Sequence, residues 1–180
     1  MKEKNLYIGC GPDIREGFLH SDIRKMEHID YVCNAWDISK QIQDINHIYS
    51  RHMLEHLTVD EAMLTLKDWF KALKNGGTIR LIVPDLDFHC KQWLEAEWDD
   101  DTVSDKWSDA THSLASIYGW QKECDPTKDD YNTSYWDVHK SGYNKKRMLF
   151  LLKKIGFINI DIEVKNRWHL VANAKKSNED

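Results

Sequence analysis

The sequence predicts an α/β fold, a mostly parallel twisted sheet with helices on both faces, and three observations predict it. Five short apolar runs, each closed by turn or polar residues, read as buried strands: Leu6–Cys10, Phe18–Ile23, Tyr31–Cys33, Ile45–Ser50 and Thr78–Val83. A capped amphipathic helix stands between the fourth and fifth runs, the alternation a parallel sheet requires. A glycine-pair turn, Gly9-Cys10-Gly11-Pro12, follows the first run, at the strand end where α/β sheets approach ligands.

Taken in order, the first run ends in that turn, and only Pro12–Gly17 separate it from the second. A full parallel crossover takes ~10–12 residues or more, so the first crossover is shortened to a truncated helix or a bare loop. The second run ends at Asp22, the third gives way to Asn34-Ala35-Trp36-Asp37, and the fourth leads into Arg51-His52. Thr58-Val59-Asp60-Glu61 forms a capping box, in which the Thr58 hydroxyl and the Glu61 carboxylate satisfy each other's backbone. Ala62, Leu66, Phe70 and Leu73 make the helix's apolar stripe, and Asn75-Gly76-Gly77 supplies a left-handed stop. The fifth run ends at Pro84-Asp85. A last helix spans about Lys145 to Ile155 and stops at Gly156, before a closing pair of strands, Phe157–Val164 and Trp168–Ala174.

Between the fifth strand and the last helix lies an insertion, about Glu95 to Tyr143. It mixes Asp99-Asp100-Asp101 with aromatics and histidines, and its one strong helical piece is roughly Ser104–Tyr118. An insertion of this length reads either as a lid over a binding site or as a loop-rich cover that buries tryptophans.

Composition narrows the function. The 180 residues, about one domain's worth, carry 25 Lys plus Arg against 30 Asp plus Glu, a net charge of −5. That balance disfavours nucleic acid as the main partner, since a phosphate backbone needs a cationic surface. None of the four cysteines, Cys10, Cys33, Cys90 and Cys124, forms a C-x-x-C pair, so neither a zinc knuckle nor a secreted disulfide scaffold is indicated. No apolar stretch approaches a signal segment or a membrane span, and the expected location is cytoplasmic.

The glycine turn lacks the third glycine of a dinucleotide fingerprint, because position 14 is Ile, and no Gly-Lys-Ser/Thr of a P-loop follows. Asp22 at the end of the second strand can accept both hydroxyls of a ribose, and the Asn34 amide oxygen can receive an adenine amino hydrogen. Each also suits a plain structural role, as a strand-end cap and a turn residue.

Leu6–Gly11, Asp22, Asn34-Ala35, Tyr49–Leu57, Lys74–Gly77 and Val83-Pro84-Asp85, in that order and spacing, resemble the class I S-adenosylmethionine-dependent methyltransferases. The chain is most similar to small bacterial members associated with surface-polysaccharide and capsule pathways. The resemblance implies a Rossmann-like fold and S-adenosylmethionine as cofactor. It places Gly9, Cys10 and Gly11 at the methionine end, Asp22 with Ile23 at the ribose, and Asn34 with the Ala35 backbone at the adenine. Arg51 or His52 would flank the methionine portion and the methyl group. Two positions depart from the family pattern: Asn34 stands where Asp is usual, and Asp13 replaces the third glycine. No room precedes Leu6 for the covering N-terminal helix of many members, so cover falls to the insertion, to a second subunit of a homodimer, or to nothing.

Methyl transfer requires alignment of acceptor and methyl and, for a hydroxyl acceptor, a base. His139, in Asp137-Val138-His139-Lys140-Ser141-Gly142-Tyr143, is the first candidate base and His52 the second. Asp85, His89, Tyr118, Gln121 and Tyr143 are candidates for binding a small polar acceptor: a sugar, a nucleotide-sugar or a phosphorylated precursor. Two rival readings stand beside this one. A non-catalytic partner subunit could retain the fold, and His52-Met53-Leu54-Glu55-His56 satisfies the H-x-x-E-H pattern of zinc hydrolases. The second needs both histidines on one helical face, but His52 directly follows a strand and the clear helix start is Thr58. No metal is expected.

Overall fold

The computed structural model describes residues 3–99, 107–121 and 136–178. Its strands are β1 (Asn5–Ile8), β2 (Leu19–Asp22), β3 (Tyr31–Val32), β4 (Ile45–Arg51), β5 (Leu73–Pro84), β6 (Phe157–Lys165) and β7 (His169–Lys176). Its α-helices are α1 (Ile38–Gln41), α2 (Val59–Ala72), α3 (Leu86–Glu95), α4 (Asp109–Tyr118) and α5 (Lys145–Ile155). The strands form one sheet in the order β3-β2-β1-β4-β5-β7-β6. β1 to β5 pair in parallel, and β7 runs antiparallel between β5 and β6. The expected mostly parallel sheet, with its closing hairpin, is present.

Side chains alternate across the strands and divide the core in two. Leu6, Ile8, Ile48, Ile79, Leu81, Leu170 and Ala172 pack with Ile38 of α1, Leu66 and Trp69 of α2, and Met148 and Leu152 of α5. On the opposite face Tyr7 and Tyr49 pack with Cys10, Phe18, Ile29 and Ile82. The first crossover is a bare loop, and its own side chains serve as cover: the Arg15 guanidinium lies 4.1 Å from the Tyr49 ring centroid and 4.8 Å from that of Phe18.

The capping box of α2 forms as read, Thr58 Oγ1 accepting from the Glu61 N–H at 3.3 Å and the Glu61 carboxylate from the Thr58 N–H at 2.8 Å. The helix ends at Ala72, earlier than the expected stop at Asn75-Gly76-Gly77, because Leu73 is already extended and paired with Ile45. Gly76, at φ +73°, instead serves the irregularity where β4–β5 pairing shifts register. α5 starts at the Asn144 cap and stops at Gly156 with φ +112°, as expected.

Two further features depart from the sequence reading. α3 was not anticipated; it begins directly after β5 and packs against α4. α4 starts at Asp109 rather than Ser104, capped by Ser108, whose hydroxyl accepts from the Thr111 N–H at 3.1 Å. Residues 104–106 and Cys124 lie outside the described residues. The end of the insertion is stitched to the core: the Glu55 carbonyl accepts from the N–H groups of Lys140 and Ser141, at 2.8 and 3.1 Å. No helix among the described residues is long and apolar enough to cross a membrane.

Candidate active site

Strand order reverses beside β1: β2 and β3 lie on one side of it, β4 and β5 on the other. In open α/β sheets the crevice beyond the carboxyl ends at such a switch point is where ligands bind. A cavity of about 260 Å³ opens there. Its walls come from successive strand ends: Ile8 and Gly9 at the end of β1, Ser21 to Arg24 at the end of β2, Cys33 to Trp36 after β3, and His52 and Met53 after β4. The opposite wall is Trp136, Asp137 and Lys140 from the end of the insertion, with His56, Leu57 and Glu61 at the entry to α2.

Asp22 is 5% exposed and tightly held. One carboxylate oxygen accepts from the Gly11 N–H at 2.8 Å; the other accepts from the Arg24 N–H at 2.9 Å and Arg24 Nε at 3.1 Å. Burial pushes its pKa up, but these bonds outweigh burial and hold it below the usual carboxylate value. The glycine pair therefore does two jobs. Gly11, at φ +55°, turns its amide onto Asp22, and Gly9, at φ +66°, lets the Met53 side chain lie directly on the backbone. Asn34 stands just before the short turn after β3, makes no side-chain cap bond there, and donates through Nδ2 to Asp37 at 3.3 Å, leaving its amide oxygen as the acceptor at that strand end. Trp69 of α2 supports the neighbouring backbone, its indole N–H donating to the Ala35 carbonyl at 2.8 Å.

At the other end of the cavity His52 follows β4 with φ +50°, a conformation uncommon for a residue with a side chain. Its Nδ1 donates to Glu55 Oε1 at 3.1 Å, and its Nε2 lies 3.2 Å from Nε2 of His169. Glu55 is 1% exposed. Burial would raise its carboxyl, yet the bond from His52 and the imidazoles of His52, His56 and His139 hold it below the ordinary value. Burial pushes His169 down to about 4, helped by His52 and Arg51, and lowers His56 as well.

No family model and no curated protein sequence matches the chain. Solved structures do resemble it. A SAM-dependent methyltransferase from Methanosarcina mazei aligns with a TM-score of 0.61 at 16% identity, over 99% of this chain and 95% of that one. One from Archaeoglobus fulgidus aligns with a TM-score of 0.59 at 16% identity, over 97% and 86%. The 1,6-didemethyltoxoflavin-N1-methyltransferase of Burkholderia thailandensis, solved with 1,6-didemethyltoxoflavin and S-adenosylhomocysteine bound, aligns with a TM-score of 0.58 at 12% identity, over 98% and 72%. The fold is that of S-adenosylmethionine-dependent methyltransferases.

On this methyltransferase fold, the cavity gathers Gly9, Asp22, Ile23, Asn34, Ala35 and His52 from the residues singled out in the sequence. Other candidates lie elsewhere. Cys10 turns to the opposite face of the sheet against Tyr7 and Tyr49, where burial pushes its thiol up to about 11. Gly11 acts through Asp22, and Arg51 is exposed and off the cavity wall. Asp85 and His89 are buried at the start of α3, Tyr118 is exposed at the end of α4 and Gln121 just beyond it, and none of the four borders the cavity. Tyr143 belongs to the core and donates its hydroxyl to the Leu54 carbonyl at 3.2 Å. His139 stands just behind the wall formed by Asp137 and Lys140. His52 and His56 share no helical face, since His52 has left-handed φ and Leu54–His56 is a 3₁₀ turn, so the H-x-x-E-H pattern lacks its helix. Trp36, Met53, Glu61, Trp136 and Lys140 were not singled out for the site; only the last two carried a signal, lying in or beside the insertion's closing motif.

Proposed function

We propose that this protein transfers a methyl group from S-adenosylmethionine to a hydroxyl or amine of a small polar acceptor, with His52 as base. The observation that carries the reading is the common cavity: Gly9, Asp22 and Asn34 reach it from three adjacent strand ends, and His52 reaches it from a fourth.

The residues present suit the cofactor. A buried, ionised carboxylate at the end of β2 matches ribose hydroxyls, which donate. An amide at the end of β3 beside Ile23, Ala35 and Trp36 matches a flat heterocycle with a polar edge. S-adenosylmethionine, when bound, supplies a sulfonium methyl already activated for displacement. What remains for the chain is to orient the acceptor and take its proton. His52 is set for the second task, because a carboxylate only accepts, so the bond to Glu55 fixes a proton on Nδ1 and makes Nε2 the basic atom, which the acceptor would engage in place of His169 Nε2, 3.2 Å away.

The wall from the insertion argues for the acceptor class. Trp136 offers an apolar ring face and Lys140 a cation, a pair suited to a phosphorylated sugar or nucleotide-sugar. Such a compound, as a precursor of a surface polysaccharide, is the substrate class that the sequence resemblance also favours. Calorimetric titration with S-adenosylhomocysteine tests the reading: the wild type binds, and Asp22→Ala loses at least ~10-fold in affinity. Absence of binding by the folded wild type defeats the proposal and leaves the non-catalytic partner subunit as the reading.

A further inference from the structure

Glu55, His56 and His139 converge behind the cavity wall. One carboxylate oxygen and one ring nitrogen of each histidine all lie within 4.8 Å of one another. Their other atoms are already committed. His56 Nδ1 lies 3.3 Å from the Val138 carbonyl and His139 Nδ1 lies 2.9 Å from the Ser116 carbonyl. A carbonyl only accepts, so each Nδ1 carries a proton, and in the neutral imidazole Nε2 is the nitrogen with a lone pair to offer a cation. Glu55 Oε1 takes the His52 proton, while Oε2 is buried with no hydrogen-bond partner among the described residues. One ring nitrogen of each histidine and a carboxylate oxygen thus face one another, and Glu55, which carries the unpartnered oxygen, is almost wholly buried. A cation among them would satisfy the buried Glu55 oxygen and use both ring nitrogens at once.

We infer that Glu55, His56 and His139 form a binding site for a divalent transition-metal ion of the zinc class. Two imidazoles and one carboxylate are a recurrent three-ligand set for zinc that keeps a fourth position open. Histidine ligands whose second nitrogen donates to a backbone carbonyl are the usual outer-sphere arrangement, and both histidines have it here. At bonds of ~2.0–2.1 Å tetrahedral ligand atoms lie about 3.3 Å apart, so modest side-chain rotation closes the set. This is a different trio from the one the H-x-x-E-H pattern suggests, with His139 replacing His52. His56 is itself a wall of the cavity, so the ion borders it. The open position takes an oxygen donor, either water or the acceptor; only occupation by the acceptor rests on the methyl-transfer reading.

The test is competition of the metal-stripped full-length protein against a chromophoric chelator for Zn²⁺, with Co²⁺ as a spectroscopic probe. The expected result is one equivalent of Zn²⁺ bound, and a Co²⁺ complex with visible d–d bands and no thiolate charge-transfer band. Glu55→Gln and His139→Ala each weaken binding by at least the roughly 10–100-fold typical of lost outer-sphere partners. His47→Gln, at a histidine elsewhere on the sheet, leaves it unchanged. No stoichiometric zinc, thiolate bands in the cobalt spectrum, or undiminished binding by both variants overturns the site. The wild-type cobalt spectrum decides the matter even where a variant fails to fold. S-adenosylhomocysteine binding, measured alongside on the metal-stripped protein, separates failure of this site from failure of the cofactor reading.

Discussion

Glu55 Oε1 lies 3.1 Å from Nδ1 of His52, three residues back along a turn that holds His52 at φ +50°. The pair joins a fully buried carboxylate to an imidazole on the cavity wall, and it fixes which ring nitrogen is basic. His52→Ala is therefore expected to cut methyl transfer to a hydroxyl acceptor by ~10²-fold or more, the usual contribution of a positioned base. Affinity for S-adenosylhomocysteine, read by calorimetry, stays within a few-fold of wild type. An equal loss of affinity and turnover would make His52 a wall residue and nothing more.

Asp22 organises the glycine turn as well as facing the cavity. Its three accepted bonds come from Gly11, between β1 and β2, and Arg24, between β2 and β3. Asp22→Asn keeps the shape but turns one acceptor oxygen into a donor group facing other donors. The expected cost is about 1–3 kcal/mol of stability, since Arg24 is partly exposed and its share is screened. Urea unfolding measures that cost, and it comes with weaker S-adenosylhomocysteine binding. A variant with unchanged stability would show that the turn holds itself.

The strand ends of this site were legible in the sequence because a parallel sheet buries continuous apolar runs, and each run stops where the chain leaves the core. Gly9, Asp22, Asn34 and His52 each follow such a stop, and all four line one cavity. Direction within the turn was not legible: Cys10 stands between Gly9, which lines the cavity, and Gly11, which holds Asp22, yet it packs on the far face with Tyr7 and Tyr49. Nor was the end of α2, because pairing of Leu73 with Ile45 outweighs the local glycine signal. α3 was hidden for another reason. Asp85 makes no side-chain cap bond, and only His89 of the helix is buried, so neither a start signal nor an apolar stripe marks it. The convergence of Glu55, His56 and His139 depends on a contact across more than eighty residues, which no spacing rule encodes.

Gly9→Ala should be among the most damaging small substitutions. A Cβ there would fall within 2.7 Å of Met53 Cβ, and closer still to Met53 Cγ, at a φ of +66° that disfavours any side chain. Loss of S-adenosylhomocysteine binding together with a drop in thermal midpoint is expected. Adding Met53→Ala relieves the contact but not the backbone strain, so the double variant recovers part of the midpoint. Full recovery would mean that φ carries no cost, and none would mean that Met53 is not the obstacle.

Acid should weaken the fold well above the range where most carboxylates titrate. His89 is 1% exposed, and burial holds its pKa down to about 4 despite support from Gln92. The ordinary value is 6.5, so on acidification the unfolded chain takes this proton first. Stability from keeping His89 neutral is fully present above about pH 6.5, is lost between there and about pH 4, and amounts to no more than about 3 kcal/mol. Asp22 has the same sign at lower pH, because its lowered pKa means that protonation breaks its bonds to Gly11 and Arg24. Urea midpoints at pH 7 and pH 4.5 should differ less for His89→Leu than for wild type. Equal differences would remove His89 as the source.

Trp69 links the core to the site. It is fully buried in α2, and its indole N–H holds the Ala35 carbonyl at 2.8 Å, next to the proposed adenine position. Trp69→Phe keeps an aromatic ring in the core but removes that donor and leaves a small void beside Ala35. One hydrogen bond contributes about 0.5–1.5 kcal/mol, and the void adds to the loss, so destabilisation of about 1–3 kcal/mol is expected. The informative readout is the ligand. Freed from Trp69, the chain after β3 samples more conformations, and S-adenosylhomocysteine must order it on binding, which lowers affinity by several-fold. Turnover at saturating cofactor and acceptor stays near wild type, because His52 and Glu55 lie at the other end of the cavity. A matching fall in saturated turnover would mean that the two ends of the cavity do not act independently.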